Sequence, residues 1–176
     1  MNNFLDLINY AAQRPEMIRS LAGQFGLDQK QTDNVSKMLI SAVAGGMLNN
    51  IQNGGLENLM GALENGQHEK LLEKAKAPGA NLFNVIQEGN DILGHILGSK
   101  DVSRQVAGAV EQKTNVEAEI IKTMLPIIAA VVMGMLDQTR RKQGNSQFSG
   151  SLLNMLDMNH DGSPVDDIIR LVGSLK

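Results

Sequence analysis

A chain of 176 residues with 42% hydrophobic and 20% charged side chains can enclose a real core, as one domain or two small ones. The absence of cysteine excludes disulfides, thiolate metal sites and cysteine nucleophiles. A formal net charge of −3 argues against a nucleic-acid binder, which normally shows a basic domain or stripe.

With aromatics at 3%, the interior falls to Leu, Ile, Val, Ala and ten Met, an adaptable filling. Met1 to Asp6 includes no basic n-region and no long apolar stretch, so no signal peptide and a cytoplasmic location are expected. A first helix is predicted over residues 3–13, with Asn3 as N-cap and Leu5, Ile8 and Ala12 on its apolar face. Pro15 suits the opening turn of a second helix. In it Met17, Ile18, Leu21, Ala22 and Phe25 recur at helical spacing until Gly26.

A third helix runs from about Gln31 to Gln52, with Val35, Met38, Leu39, Ala42, Val43 and Met47 inward. Gly45 and Gly46 each cost about 1 kcal/mol relative to alanine inside a helix, so the small-residue stretch there asks for a close neighbour. Asn53-Gly54-Gly55 breaks this helix, and a short one with Leu56, Leu59, Met60 and Leu63 closes at Asn65-Gly66. Residues 67–79 form a charged connector ending in Pro78-Gly79.

Residues 81–97 give one or two helices interrupted near Gly89-Asn90. Gly98 to Asp101 is a turn, and Val102, Val106 and Val110 mark the next helix. Thr114 and Glu117 have capping-box spacing and place a helix start before the longest apolar run. That run, Met124 to Leu136, is thirteen residues with no polar side chain. At 1.5 Å rise it reaches about 20 Å, short of a hydrocarbon core of roughly 30 Å. Lys122 and Asp137 close it on either side, so a buried core helix is expected and no membrane span. Arg140, Arg141 and Lys142 complement the dipole at its far end. Gly144 to Gln147 reads as a loop, 149–156 as a short helix and 165–175 as the last.

The second half echoes the first. Arg19 to Phe25 aligns with Arg104 to Val110, Met38-Leu39 with Met124-Leu125, and Met47-Leu48 with Met135-Leu136. With no period-2 alternation, the fold is expected to be all-α: two tandem related multi-helix units, 1–66 and 80–176, packed around long apolar helices.

The string Ile92-Leu-Gly-His-Ile-Leu-Gly98, followed by Gln105 to Gly108 and the run from Met124, resembles the YidB-like bacterial family. The resemblance covers most of residues 80–170, with the first half a weaker copy. It implies a helical domain without an established activity, in a homeodomain-like helix array, and it supplies no catalytic residues. Shape alone does not imply DNA binding.

The most chemically suggestive stretch lies near the C-terminus. Asp157, Asn159, Asp161, Gly162 and Ser163 fill positions 1, 3, 5, 6 and 7 of a calcium loop. Position 12 is Ile168 rather than a bidentate carboxylate, so a shortened loop closed by Asp167 is the version that would hold a cation. The competing reading makes Ser163 an N-cap, Pro164 an N1 residue and the acids a polar turn. His95 sits among apolar neighbours as a pH-sensitive or ligand-contacting imidazole, or as a helix-face histidine bonded to a carbonyl. His68 and His160 have no second histidine at metal spacing. No nucleophile elbow and no phosphate-binding glycine loop occurs, and the basic run at 140–142 has only Phe148 near it for stacking.

The leading expectation is therefore a non-catalytic protein-interaction or scaffold module, acting on a protein partner or on itself, with no cofactor. The alternatives are a Ca²⁺-binding domain through the acidic loop and nucleic-acid binding by the helix array. Calorimetric titration of chelator-treated protein with Ca²⁺ separates the readings of the loop. A cation site gives a saturable signal lost in Asp157→Ala and Asp161→Ala, and a helix-capping turn gives a flat trace.

Overall fold

Thirteen consecutive apolar residues have no side to turn to water, so other helices must surround them. In the computed structural model of the protein they do. The structure describes residues 25–66, 82–98 and 100–156, together with Gly23, His68, Lys70, Leu71 and Glu73. Among these residues all regular elements are helices: α1 (Gln29–Asn50), α2 (Leu56–Asn65), α3 (Leu82–Leu97), α4 (Lys100–Thr114), α5 (Ala118–Gln143) and α6 (Asn145–Leu156). The helices expected at 3–13, 15–25 and 165–175 lie outside or almost wholly outside the described residues, as does the whole acidic loop.

Helix α5 is the axis of the fold. All residues from Met124 to Asp137 are buried, against α1, α2, α3, α4 and α6. By length and composition α5 could cross a membrane, yet 78% of its most apolar window is buried inside the protein. Each Leu, Ile or Met so buried contributes about 1.5–3 kcal/mol. The core is continuous from Val35 on α1 to Phe148 on α6, and it includes Leu71 from the segment expected to be a charged connector.

Two glycines set the closest approaches. The interruption expected near Gly89 does not occur, for α3 is continuous from Leu82 to Leu97. A Cβ on Gly89 would collide with the Pro126 carbonyl oxygen and stand 2.5 Å from its carbonyl carbon. Gly89 is thus the point where α3 meets the backbone of α5. On α1, a Cβ on Gly46 would overlap the Leu97 side chain and lie 2.9 Å from Ile96 Cγ2, which is the close neighbour that the small residues of α1 required.

Helix ends differ from expectation in three places. α1 starts at Gln29 because Asp28 and Gln31 form a reciprocal cap: the Gln31 amide donates to Asp28 Oδ1 at 2.8 Å, and the Asp28 amide to Gln31 Oε1 at 3.2 Å. The capping box expected at Thr114–Glu117 is not formed. Thr114 instead ends α4, donating its hydroxyl to the Val110 carbonyl at 2.8 Å, while Glu111 Oε1 accepts the Ala118 amide of α5 at 3.1 Å. The loop expected over 144–147 shrinks to Gly144, whose φ of 81° turns the chain directly into α6. On α4 the buried positions are Ala107 and Val110, and Val102, expected inward, is exposed.

Asp137, expected to mark the polar end of the apolar run, is instead fully buried. Arg140 Nη2 donates to its Oδ1 at 2.9 Å and Arg141 Nη2 to its Oδ2 at 3.2 Å. Arg140 also reaches the Leu63 carbonyl on α2 at 3.4 Å and Asn145 Oδ1 on α6 at 2.9 Å. Burial alone pushes the Asp137 carboxyl up. The hydrogen bonds and charges of Arg141 and Arg140 outweigh it and hold the group below its ordinary value of 3.8.

Three substitutions test this packing. Gly89→Ala destabilises the protein by about 3 kcal/mol, since backbone cannot step aside for the new methyl. Gly108→Ala, whose Cβ meets nothing within 4 Å, is neutral or stabilises by up to about 1 kcal/mol, both read from urea midpoints. Asp137→Ala leaves Arg140 buried without its counter-charge and costs about 3–5 kcal/mol at pH 7. A carboxyl lowered by folding contributes stability above its unfolded value and loses it as pH falls through the folded one. The gap between wild type and variant is therefore full at neutral pH and closes below about pH 4.

Candidate functional site

A concavity among the described residues lies between α2 and α3, over α5. α2 is ten residues long and turns Leu59 and Leu63 into the core. Its other face carries Gly61 and Ala62, small enough to leave a groove of about 450 Å³ in front of α3. Ile92 and Ile96, one turn apart on α3, form its far wall, and Met133 of α5 lies at its base. Glu57, Asn58 and His95 stand at the rim. The volume is in the range of sites that hold small molecules or single anchoring side chains.

Two kinds of hydrogen bond fix this geometry. The first closes the end of α1 on α3: Asn50 Nδ2 donates to the His95 carbonyl at 2.8 Å, satisfying one of the last carbonyls of α3. The second set closes the C-terminus of α2. Asn65 Nδ2 donates to the Gly61 carbonyl at 2.9 Å, His68 Nε2 to the Ala62 carbonyl at 3.0 Å, and Arg140 to Leu63. Because a carbonyl only accepts, His68 carries its proton on Nε2. Its buried Nδ1 has no partner among the described residues. A Cβ on Gly66 would strike the same imidazole. Cationic and N–H donors at this end also oppose the negative pole of α2. Asn145 Nδ2 donates to Glu64 Oε1 at 2.6 Å and ties α6 to the same corner.

The residues expected to carry chemistry fare differently. Asp157, Asn159, Asp161, Ser163, Asp167 and His160 lie outside the described residues. Among the described residues no group of three or more His, Asp or Glu side chains could hold a metal ion. His95 is exposed at the groove's rim, and its backbone carbonyl is the atom bonded to Asn50. Arg140 and Arg141, expected to serve the helix dipole, are held on Asp137. His68, expected on a solvated connector, is buried. Asn50, Ala62 and Met133 were not expected at a site at all. They lie far apart in sequence, and the only signal was the helix break at Asn53-Gly54-Gly55, which lets α2 turn onto α5.

Exposed large apolar side chains among the described residues are Phe83 on α3 and Val102 on α4. They stand on separate helices, so the groove is the more coherent apolar feature.

No curated protein and no solved structure matches the chain. One family's sequence profile does match, over residues 6–139. That stretch takes in every residue lining the groove and stops short of the acidic loop. The YidB-like character of the string at 92–98 agrees with it. The chain belongs to this family, described as bacterial protein of unknown function (DUF937).

Proposed function

We propose that the protein is a non-catalytic interaction or scaffold module of the bacterial cytoplasm, and that the groove between α2 and α3 receives a helical segment of a protein partner. The observation that carries this reading is the groove's construction. Its base and wall are aliphatic, its near side is the small pair Gly61-Ala62, and its rim offers an imidazole, an amide and a carboxylate. An amphipathic helix needs that combination: apolar anchors go into a trough, a small-residue face lets the backbones approach, and polar groups at the edge fix register. Methionine at the base adapts to differently shaped anchors. The arginines of the one basic run are both held on Asp137, which reduces the positive charge that run offers to a nucleic acid.

A photo-crosslinking residue placed at Asn58 in living cells gives one discrete protein adduct, and the same residue at Gln112, exposed on α4 outside the groove, does not. Ala62→Arg fills the trough from an exposed position, so it abolishes the adduct while leaving the helical circular dichroism and thermal midpoint of the wild type. An adduct of twice the chain's mass identifies a second copy as the partner. Equal, diffuse labelling at both positions would sink the proposal.

A further inference from the structure

A second cleft, of about 480 Å³, opens on the other side of α3, between it, the start of α4 and the start of α5. Its chemistry is unlike the groove's. Lys100, Ser103 and Arg104 fall at i, i+3 and i+4 of α4 and so share one helix face. Lys122 comes from the second turn of α5. Three cations thus line one cavity with Asp91 of α3, and Asp101 and Glu119, paired to two of them, stand beside it. The floor is apolar, made by Leu93 and Leu125. Gly94 adds no side chain, and a Cβ there would meet nothing within 4 Å.

Two of the cations have partners that a stronger anion would displace. Arg104 pairs with Asp101 at 2.9 Å and Lys122 with Glu119 at 2.6 Å, both between exposed side chains three residues apart. Pairs of this kind are worth about 0–1 kcal/mol. A phosphate dianion offers three strong acceptors to the same donors and forms a forked contact with a guanidinium. Ser103 of α4 and Asn90 of α3 bring neutral hydrogen-bonding groups to the lining of the cleft. The first turn of α4, fifteen residues long, lies at the cleft and adds the positive end of its dipole.

We propose that this cleft is an anion site for a phosphate group, held by Lys100, Arg104 and Lys122, with the apolar floor taking the adjoining part of the molecule. The size is that of a small-molecule site, and a phosphomonoester or diphosphate is the class it fits. A lipid headgroup and a soluble phosphate share this chemistry, and the source is decided by experiment. The site is independent of the groove between α2 and α3.

The test uses the full chain at low ionic strength, titrated with inorganic pyrophosphate and followed by amide chemical shifts. Saturable binding is expected, with the largest shifts in 90–94, 100–104 and 122–125. Lys122→Gln and Arg104→Gln each weaken it about fivefold, as loss of one charge-assisted contact should. Asp91→Asn tightens it, a gain that no general loss of structure can produce. Lys142→Gln, a cation outside the cleft, leaves it unchanged. Vesicles containing phosphatidic acid, a lipid phosphomonoester, form the second arm. Binding to them that Lys122→Gln abolishes assigns a lipid headgroup, and pyrophosphate binding without it assigns a soluble ligand. Absence of saturable binding in both arms, or equal weakening by Lys142→Gln and Lys122→Gln, overturns the proposal.

Discussion

The contact between Gly89 and Pro126 is the constraint on which the packing of this protein depends. Proline is tolerated poorly inside helices because it lacks an N–H and its ring crowds the preceding turn. Here Pro126 sits within α5 and leaves the Lys122 carbonyl without its usual helical donor. The backbone at that turn faces α3, and only a residue without a side chain can meet it. Once α3 is seated there, Ile92 and Ile96 follow on the same face at helical spacing and reach the neighbourhood of Met133, two turns beyond Pro126. Gly46 then seats α1 against the end of α3, where Asn50 reaches the His95 carbonyl. The groove is a consequence of that order of contacts.

A second constraint is electrostatic and works on the other end of α5. Asp137 is buried although nothing about its position in the sequence requires it, and burying a lone carboxylate is expensive. Arg140 and Arg141 neutralise it from one turn further along, and Arg140 also donates from Nη2 to α2 and from Nη1 to α6. One side chain therefore meets a carboxylate of its own helix, the last turn of a second helix and the first turn of a third. Apolar packing alone would let α2 slide along α5 by a fraction of a turn. A guanidinium with three fixed acceptors does not.

Much of the helix pattern was legible because it follows from local chemistry. Gly54, Gly98 and Gly144 all take positive φ at the breaks where loss of the apolar pattern or a glycine-rich turn predicted them. Val35, Met38, Leu39, Val43 and Met47 are buried as their spacing required. The errors have one cause, which is that tertiary contact chose between readings the sequence left equal. Glycine in mid-helix marks either a break or a close approach, and Gly89 is the second. A Thr-x-x-Glu string caps a helix only if the chain is free to start one there, and at Thr114 the preceding helix already held the threonine. The candidate sites were less legible still. Motifs drew attention to 157–167, whereas the groove and the cationic cleft gather residues such as Asn50, Ala62 and Met133, or Lys100 and Lys122, that no local pattern connects.

Helix α3 lies between the two concavities and contributes to both. Ile92, His95 and Ile96 face the groove, and Asn90, Asp91 and Gly94 face the cationic cleft. The string at 92–98 that carries the family resemblance is thus the wall shared by two surfaces of opposite character. A shared wall does not in itself couple them, because one ligand alters the affinity of another only if it favours a different position of what lies between. With Gly89 locked on backbone that has no room to yield, α3 has little freedom to shift as a body. Its end is held less tightly, by the Leu97 and Ile96 side chains over Gly46 and one amide from Asn50. Any communication between groove and cleft therefore runs through the last turn of α3, where side chains can reorient, and not through its first half.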